Sequence, residues 1–206
     1  MPGNCLIVVD MQNDFVHPGG SLYINKAELI IKDIEILLTE FEWQLVIFTQ
    51  DWHPVKHISF YTTHPDTKIG QIIETDHGKQ ILWPPHCIQN THGAKIVKEL
   101  IHYIPYIVIQ KGYHEKIDSY SAFADQSETF MTGLNEILTT NSISDVFICG
   151  VATNYCVKFT AMDSLKYHYN TYVIADATAT VSDDLETDLK DLQSQGILIT
   201  YSHQWK

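Results

Sequence analysis

The sequence predicts an α/β fold with a six-stranded, mostly parallel sheet and helices on both faces. Short, bulky apolar segments alternate along the chain with longer segments whose apolar residues recur at helical spacing. The short segments are almost continuously hydrophobic, which is typical of strands buried on both faces. A chain that alternates strand and helix in this way forms a parallel sheet covered on each side by helices.

The predicted elements follow in order along the chain. The strands are Cys5–Asp10, Leu45–Gln50, Tyr106–Gln110, Asp145–Gly150, Thr171–Asp176 and Ile197–Tyr201. The helices are Ala27–Phe41, Ala94–Ile104, Glu128–Thr139, Tyr155–Tyr169 and Asp183–Gln195. Residues 52–93 interrupt the alternation, and within them Gln71–Thr75 and Lys79–Trp83 predict a small hairpin. An irregular insertion of this length is often functional.

Length and composition favour one domain over residues 1–206. The chain has 206 residues, of which 45% are hydrophobic, enough for one α/β domain with a full core. Neither repeats nor a linker divide it. Lys and Arg number 13 against 25 Asp and Glu, a formal charge of −12, which disfavours nucleic acid and anionic membrane surfaces as partners.

The sequence also predicts a cytoplasmic location. No apolar segment reaches transmembrane length, and the start of the chain lacks the basic region of a signal peptide. Four cysteines are too sparse for a disulfide scaffold, which fits a reducing compartment. The sequence leaves the oligomeric state open, including a homo-oligomer.

Chemically active side chains follow four of the predicted strands. Asp10 follows the first strand, Asp51 the second and Lys111 the third, while Cys156 lies shortly after the fourth. Ligands of open α/β sheets bind beyond the carboxyl ends of the strands, so we expect these groups to converge.

Cys156 is the strongest candidate for a nucleophile. It falls in the first turn of a predicted helix, where the helix dipole favours a thiolate and free backbone N–H groups can bind an oxyanion. Taken alone it would more simply be a buried structural cysteine, as we expect of Cys5 and Cys149. Asp10 and Lys111 at neighbouring strand ends reverse that balance, because an acid and a cation beside a thiol can activate it.

A second group of residues has the chemistry of a metal site. Asp51, His53 and His57 lie close together in the sequence, and His86 follows in the irregular segment. A carboxylate and imidazoles suit a borderline divalent ion such as Zn²⁺, Fe²⁺ or Mn²⁺. Cys87 is interpreted as a packed neighbour of His86.

Five segments together resemble the nicotinamidases of the pyrazinamidase/nicotinamidase type, within the isochorismatase-like cysteine hydrolases. They occur in the family's order and cover nearly the whole chain. The segments are Ile7–Phe15, Thr49–Pro54, Trp83–Cys87, Gln110–Gly112 and Cys149–Val157. The resemblance implies the isochorismatase-like hydrolase fold and the hydrolysis of nicotinamide to nicotinic acid and ammonia, a step of NAD salvage.

The resemblance also implies roles for the catalytic residues. Cys156 would be the nucleophile, Asp10 the general base and acid, and Lys111 the third catalytic member. Val151 and Ala152 match a cis peptide. The N–H groups of Ala152 and Cys156 would form the oxyanion hole.

One divalent metal ion is the implied cofactor, with Zn²⁺ favoured over Fe²⁺ and Mn²⁺. Asp51, His53 and His86 match its ligands, and His57 matches a fourth ligand that only some relatives use. Phe15 and Trp83, which would otherwise be taken as core aromatics, match residues that sandwich the pyridine ring, and Ala152 would also contact the substrate.

Two other functions stay open at the level of sequence. A related amidohydrolase acting on a carbamoyl or biuret-like compound would keep the catalytic residues but generally lack the metal cluster. A non-catalytic nucleotide-binding module would need a glycine-rich phosphate-binding pattern after a strand, and the sequence has none.

Overall fold

A six-stranded parallel sheet forms the centre of the computed structural model, which describes residues 3–103 and 106–205. Its strands are β1 (Gly3–Val9), β2 (Leu45–Asp51), β5 (Ile107–Lys111), β6 (Ile143–Val151), β7 (Asn170–Ala179) and β8 (Leu198–Thr200). Their order is β5-β2-β1-β6-β7-β8, and all neighbours are parallel. All six predicted strands are confirmed, as is the hairpin, whose strands are β3 (Ile72–Thr75) and β4 (Gly78–Ile81).

Helices cover both faces of the sheet, as predicted. They are α1 (Asn13–Val16), α2 (Ile31–Glu40), α3 (Leu134–Thr140), α4 (Lys158–Lys166) and α5 (Leu185–Ser194). Side chains of a strand point alternately to its two faces, and β1 is buried on both. Leu6 packs in one core with Ile34 of α2, whereas Ile7 packs in the other with helices α3, α4 and α5.

The helix predicted at Ala94–Ile104 is wrong over its described part. Residues 94–103 form turns instead, and Ile104 lies outside the described residues. The N–H of Val97 donates a backbone hydrogen bond of 2.9 Å to the carbonyl of Met11, which lies in the segment directly after β1, here called the exit of β1 (residues 10–15). The segment is therefore bonded to the exit of β1 rather than to its own preceding turn. Its buried apolar residues recur every three positions because successive turns pack against that exit.

The other four predicted helices all begin later than predicted, α2 at Ile31 and α5 at Leu185 among them. α3 starts at Leu134, because the preceding residues form a turn in which the Asp125 carboxylate accepts hydrogen bonds from three backbone N–H groups. α4 starts at Lys158, after a wider turn at Thr153–Val157 in which the Val157 N–H bonds the carbonyl of Ala152, five residues back.

Successive strands are first added on one side of β1 and then, beginning with β6, on its other side. From β1 the chain continues through β2 to β5, and from β6 through β7 to β8 on the other side. Crevices of open α/β sheets form at the carboxyl ends of strands at such a switch point. Across the described residues, no helix combines the length and apolar character needed to cross a membrane.

Gly150 in β6 permits the close approach of β6 to β1. Its φ is +102°, and a Cβ atom there would lie 2.1 Å from the carbonyl oxygen of Val9. We expect Gly150→Ala to lower the free energy of unfolding by at least about 3 kcal/mol, because a clash with backbone adds to the usual cost of a strained dihedral.

Gly133→Ala is the matched control for that substitution. Gly133 also has a positive φ, +85°, but a Cβ atom there would meet nothing within 4 Å. Its cost should be only that of the dihedral, about 1–2 kcal/mol. Denaturant unfolding of both variants measures the difference, and equal losses would show that the Val9 contact is unimportant.

Candidate active site

Four buried polar side chains meet at the carboxyl ends of β1, β2, β5 and β6. Asp10 and Lys111 are fully buried, while Asp51 is 4% and Cys156 7% exposed. Asp51 and Lys111 are paired in the register of β2 and β5, which places their side chains next to each other. The structure thus brings together the four residues that the sequence singled out at strand ends.

Lys111 lies at the centre of this group. Its Nζ is 2.9 Å from Oδ2 of Asp10 and 2.5 Å from Oδ1 of Asp51. It also donates to the carbonyl of Ser119 at 3.1 Å and contacts Sγ of Cys156 at 3.3 Å. Burial alone would lower the pKa of Lys111, but the carboxylates of Asp10 and Asp51 raise it well above its ordinary value. Lys111 therefore remains a cation.

Asp10 is held rigidly on one side and left available on the other. Oδ1 accepts a hydrogen bond of 2.5 Å from the hydroxyl of Thr49, whose oxygen accepts one of 3.0 Å from the Asp10 N–H. Oδ2 forms the ion pair with Lys111 but has no well-aligned hydrogen bond. Burial raises the pKa of Asp10, and Lys111 opposes that rise. Such a carboxylate can accept a proton.

Cys156 lies in the wide turn between β6 and α4, beside this carboxylate. Burial raises the pKa of its thiol well above the ordinary value; Lys111 counteracts that, while the negative charge of Asp10 adds to it. The resting group is therefore a thiol with a base beside it. The peptide between Val151 and Ala152 is cis, as expected from the resemblance.

Asp51 also faces two histidines. Its Oδ2 is 3.5 Å from Nε2 of His53 and 3.9 Å from Nε2 of His86. The opposite ring nitrogens, Nδ1, are 2.8 Å from the carbonyl of Gly112 and 2.7 Å from that of Pro84. In a neutral imidazole an Nδ1 that donates to a carbonyl leaves the Nε2 lone pair free, and His86 presents its lone pair to Asp51 in this way. Burial alone would lower the pKa of His53, but Asp51 raises it, so His53 must give up its Nε2 proton to bind a metal ion.

These three side chains fit a divalent metal ion. Burial and the neighbouring His53 lower the pKa of His86 to about 4, so its imidazole is neutral. Burial alone would raise the pKa of Asp51, but Lys111 and His53 lower it far below its usual range. Tetrahedral zinc with bonds of about 2.0–2.2 Å separates its ligand atoms by about 3.3 Å, close to the observed spacing.

His57 stands apart from that ligand set. Its ring stacks on His53 with centroids 4.0 Å apart. Its Nδ1 is 2.7 Å from the Ser59 hydroxyl, and its Nε2 is 3.3 Å from the carbonyl of Ile117 and 4.0 Å from Asp118. Both nitrogens face groups other than Asp51, and the ligand atoms of His57, His53 and Asp118 lie within 4.8 Å of one another. The role of His57 as a fourth ligand stays a prediction.

An apolar cavity of about 40 Å³ leads to Cys156 and to the edge of the metal-ligand set. Phe15 and Trp83 both line it, in agreement with the sequence analysis, as does Ala152. Sequence reasoning missed Tyr120, whose hydroxyl accepts a 3.0 Å hydrogen bond from the Trp83 indole, and Tyr155, whose ring meets Trp83 edge-on at 5.1 Å. A flat ring is a suitable occupant.

The missed residues carry few local signals. Tyr155 could have been found by its position beside Cys156, but Tyr120 lies in an irregular segment with no strand-end marker. A wider depression of about 800 Å³, near Trp43 and Tyr106, lies at the amino ends of β2 and β5 and contains none of the reactive groups. We therefore assign the chemistry to the smaller cavity.

Comparison with known proteins adds independent information. An isochorismatase-domain family model matches residues 4–203. A nicotinamidase of Acinetobacter baylyi is 44% identical over 84% of this chain and 80% of its own length. The solved nicotinamidase/pyrazinamidase of Acinetobacter baumanii has a TM-score of 0.91 at 42% identity, covering 99% of this chain and 98% of that one. A Pyrococcus horikoshii pyrazinamidase solved in complex with zinc has a TM-score of 0.79 at 37% identity, covering 97% and 99%.

The burial of the four cysteines predicts a selective alkylation. Cys5, Cys87 and Cys149 are fully buried, whereas Cys156 lines the cavity. We expect iodoacetamide to modify Cys156 first in the native protein, and all four thiols in urea. Peptide mass spectrometry over a time course measures this. Modification of another cysteine at the rate of Cys156 would contradict the assigned cavity.

Proposed function

The chain belongs to the nicotinamidases of the isochorismatase-domain family, and we propose that its site hydrolyses nicotinamide to nicotinic acid and ammonia through a thioester on Cys156. The contacts of Lys111 carry the proposal: one buried ammonium lies 2.9 Å from Asp10 and 3.3 Å from the Cys156 thiol. A thiol, a base and a cation in this arrangement are the parts of an activated nucleophile.

The cavity supports the choice of substrate. Phe15 and Trp83 would lie along the faces of the pyridine ring, with the carboxamide directed at Cys156. Tyr120 accepts the Trp83 N–H and so fixes the orientation of the indole. Aromatic walls with a few convergent polar groups at one end are typical of sites for flat, small molecules.

Acylation would proceed with Asp10 as the base. Asp10 takes the proton of the thiol, and the sulfur attacks the amide carbon. The oxygen of that carbonyl gains negative charge, which the N–H groups of Ala152 and Cys156 would stabilise; one such donor is typically worth about 3 kcal/mol. Asp10 then returns the proton to the amide nitrogen, and the C–N bond breaks. Ammonia departs, and the acyl group remains on Cys156 as a thioester.

Deacylation would reuse the same groups. Asp10 accepts a proton from water, the resulting hydroxide attacks the thioester, and the sulfur of Cys156 departs and recovers the proton. Lys111 remains charged throughout and stabilises both the carboxylate and the thiolate. Nicotinic acid is released and the resting site is restored.

We also propose that Asp51, His53 and His86 hold one divalent ion, with Zn²⁺ favoured and Fe²⁺ and Mn²⁺ as alternatives. Two neutral imidazoles and a carboxylate are suitable donors for these ions. The zinc complex of the Pyrococcus horikoshii relative supports the choice of zinc. When bound, the ion would act as a Lewis acid towards the pyridine nitrogen, directly or through water.

Ammonia release from nicotinamide, measured on protein of known metal content, tests the function directly. We expect turnover with nicotinamide and far less with a carbamoyl compound. The metal-ligand set favours nicotinamidase over the related carbamoyl hydrolases. Full activity on a carbamoyl compound in metal-free protein would make that second function the better one.

Substitution of the three catalytic residues should give large and non-additive losses. We expect Cys156→Ala to abolish turnover, and Asp10→Asn and Lys111→Met each to lower kcat by at least about a thousandfold. Residues that act as one unit lose little more when a second is removed. Steady-state kinetics of the single and double variants, with circular dichroism as the control for folding, measure this. Strictly additive losses would show that the residues act separately.

Removing the metal should affect stability and substrate binding together. An ion that binds only the folded state stabilises it by roughly 2.7 kcal/mol when its free concentration is a hundredfold above Kd. We therefore expect chelation to lower Tm and to raise KM for nicotinamide.

His86→Gln and His57→Gln form a matched pair for that test, since both histidines are buried and both rings lie near His53. His86→Gln should lose the metal, and His57→Gln should retain it. Elemental analysis of the purified variants measures bound metal. Loss of the metal from His57→Gln alone would overturn the proposed ligand set.

A further inference from the structure

Three polar side chains alternate along the chain where β1 ends, and each contacts a different part of the site. Asp10 faces Lys111, as described above. Gln12 and Asp14 point elsewhere, and the catalytic mechanism uses neither. Gln12 is fully buried, so its amide must be bonded within the protein.

The Gln12 amide bonds both backbone groups of Asp51. Its Oε1 accepts the Asp51 N–H at 2.8 Å, and its Nε2 donates to the Asp51 carbonyl at 2.8 Å. Nε2 also donates to the carbonyl of Ala94 at 2.8 Å. Paired Cα positions between β1 and β2 end at Val8 and Phe48. Asp51 has Lys111 of β5 as its partner on one side, and the Gln12 side chain takes the place of a β1 partner on the other.

Asp14 holds the second ligand segment in a similar way. Its Oδ2 accepts the N–H of Cys87 at 2.7 Å, directly after His86 in the chain. Cys87 has a φ of +45°, so the backbone turns sharply at this contact. The segment also passes close to Asp14 at Gly93, where a Cβ atom would lie 2.1 Å from the carboxylate.

We propose that Gln12 and Asp14 are positioning residues that set the separation between Asp51 and His86. Asp51 and His86 come from segments 35 positions apart (86 − 51), and neither segment fixes the other by sequence proximity. Both segments are bonded to side chains only two residues apart, Gln12 just before α1 and Asp14 in its first turn. The backbone that follows β1 thus fixes the distance between the ligand atoms of Asp51 and His86.

This inference rests on the proposed metal site, and Gln50 provides a matched control for its test. Gln50 is also a buried glutamine, precedes Asp51 in the chain and donates to the same Ala94 carbonyl at 2.7 Å. Its side chain bonds neither backbone group of Asp51. Gln12→Met removes three buried hydrogen bonds, whereas Gln50→Met removes two, one to Ala94 and one from Gln110, and only the first releases the metal ligand.

We expect Gln12→Met and Asp14→Ala each to weaken Zn²⁺ binding at least about tenfold, the lower end of the usual cost of losing an outer-shell contact. Competition with a chromophoric chelator measures the affinity. The visible absorption of the Co²⁺-substituted protein should change as well, because it reports ligand geometry. Gln50→Met should keep the wild-type affinity within threefold and the wild-type spectrum. Asp14→Asn, which keeps a carbonyl acceptor for the Cys87 N–H, should restore most of the affinity.

Thermal unfolding of the metal-free proteins measures the loss of general stability. Both variants should melt below wild type, and Gln12→Met should melt lower because it leaves the Asp51 N–H and carbonyl unpaired. The affinity and the Co²⁺ spectrum of the folded proteins then report positioning, and only Gln12→Met should change them. An unchanged affinity and Co²⁺ spectrum in Gln12→Met, or an equal loss in Gln50→Met, would overturn the inference and leave the metal site intact. Wild-type protein that binds no Zn²⁺ would overturn both. If Gln12→Met does not fold, the comparison of Asp14→Ala with Asp14→Asn decides.

Discussion

The buried ammonium of Lys111 is the interaction on which the site depends. A charge removed from water is costly unless it is paired, and here two carboxylates and a thiol surround it. Asp51 uses one carboxylate oxygen for Lys111 and the other for the two histidines. The catalytic and metal-ligand groups therefore form one connected network, in which replacement of Lys111 would leave two carboxylates facing each other without a counter-ion.

The exit of β1 organises that network through its backbone. β1 occupies the middle of the sheet, between β2 and β6, so its carboxyl end borders every strand that contributes to the site except β5. Asp10 faces the nucleophile, Gln12 bonds the backbone of Asp51, and Phe15 lines the cavity. One short segment thus contacts the base, the metal ligands and the substrate pocket, and its rigidity comes from a strand buried on both faces.

The sequence was most informative where burial and chemistry both act locally. Strands buried on both faces leave continuous apolar segments, so all six could be predicted, and strand-end residues identified the reactive groups. The helix at Ala94–Ile104 was wrong because the hydrogen bond from Val97 to Met11 spans most of the first hundred residues and leaves no local pattern. Thr49 and Tyr120 were not predicted as site residues for the same reason. Thr49 looks like an ordinary strand residue, and Tyr120 lies in an irregular segment.

The central position of β1 delays the closure of the sheet while the chain is being synthesised on the ribosome. β1 is synthesised long before β6, which pairs with one of its edges and begins 134 residues after β1 ends (143 − 9). Until β6 has been made, that apolar edge of β1 has no native partner. Parallel strand pairs with such a large sequence separation form slowly, and aggregation-prone apolar surface stays exposed until they form. Cys156 emerges later still, so the nascent chain holds no assembled nucleophile until its sheet can close around it.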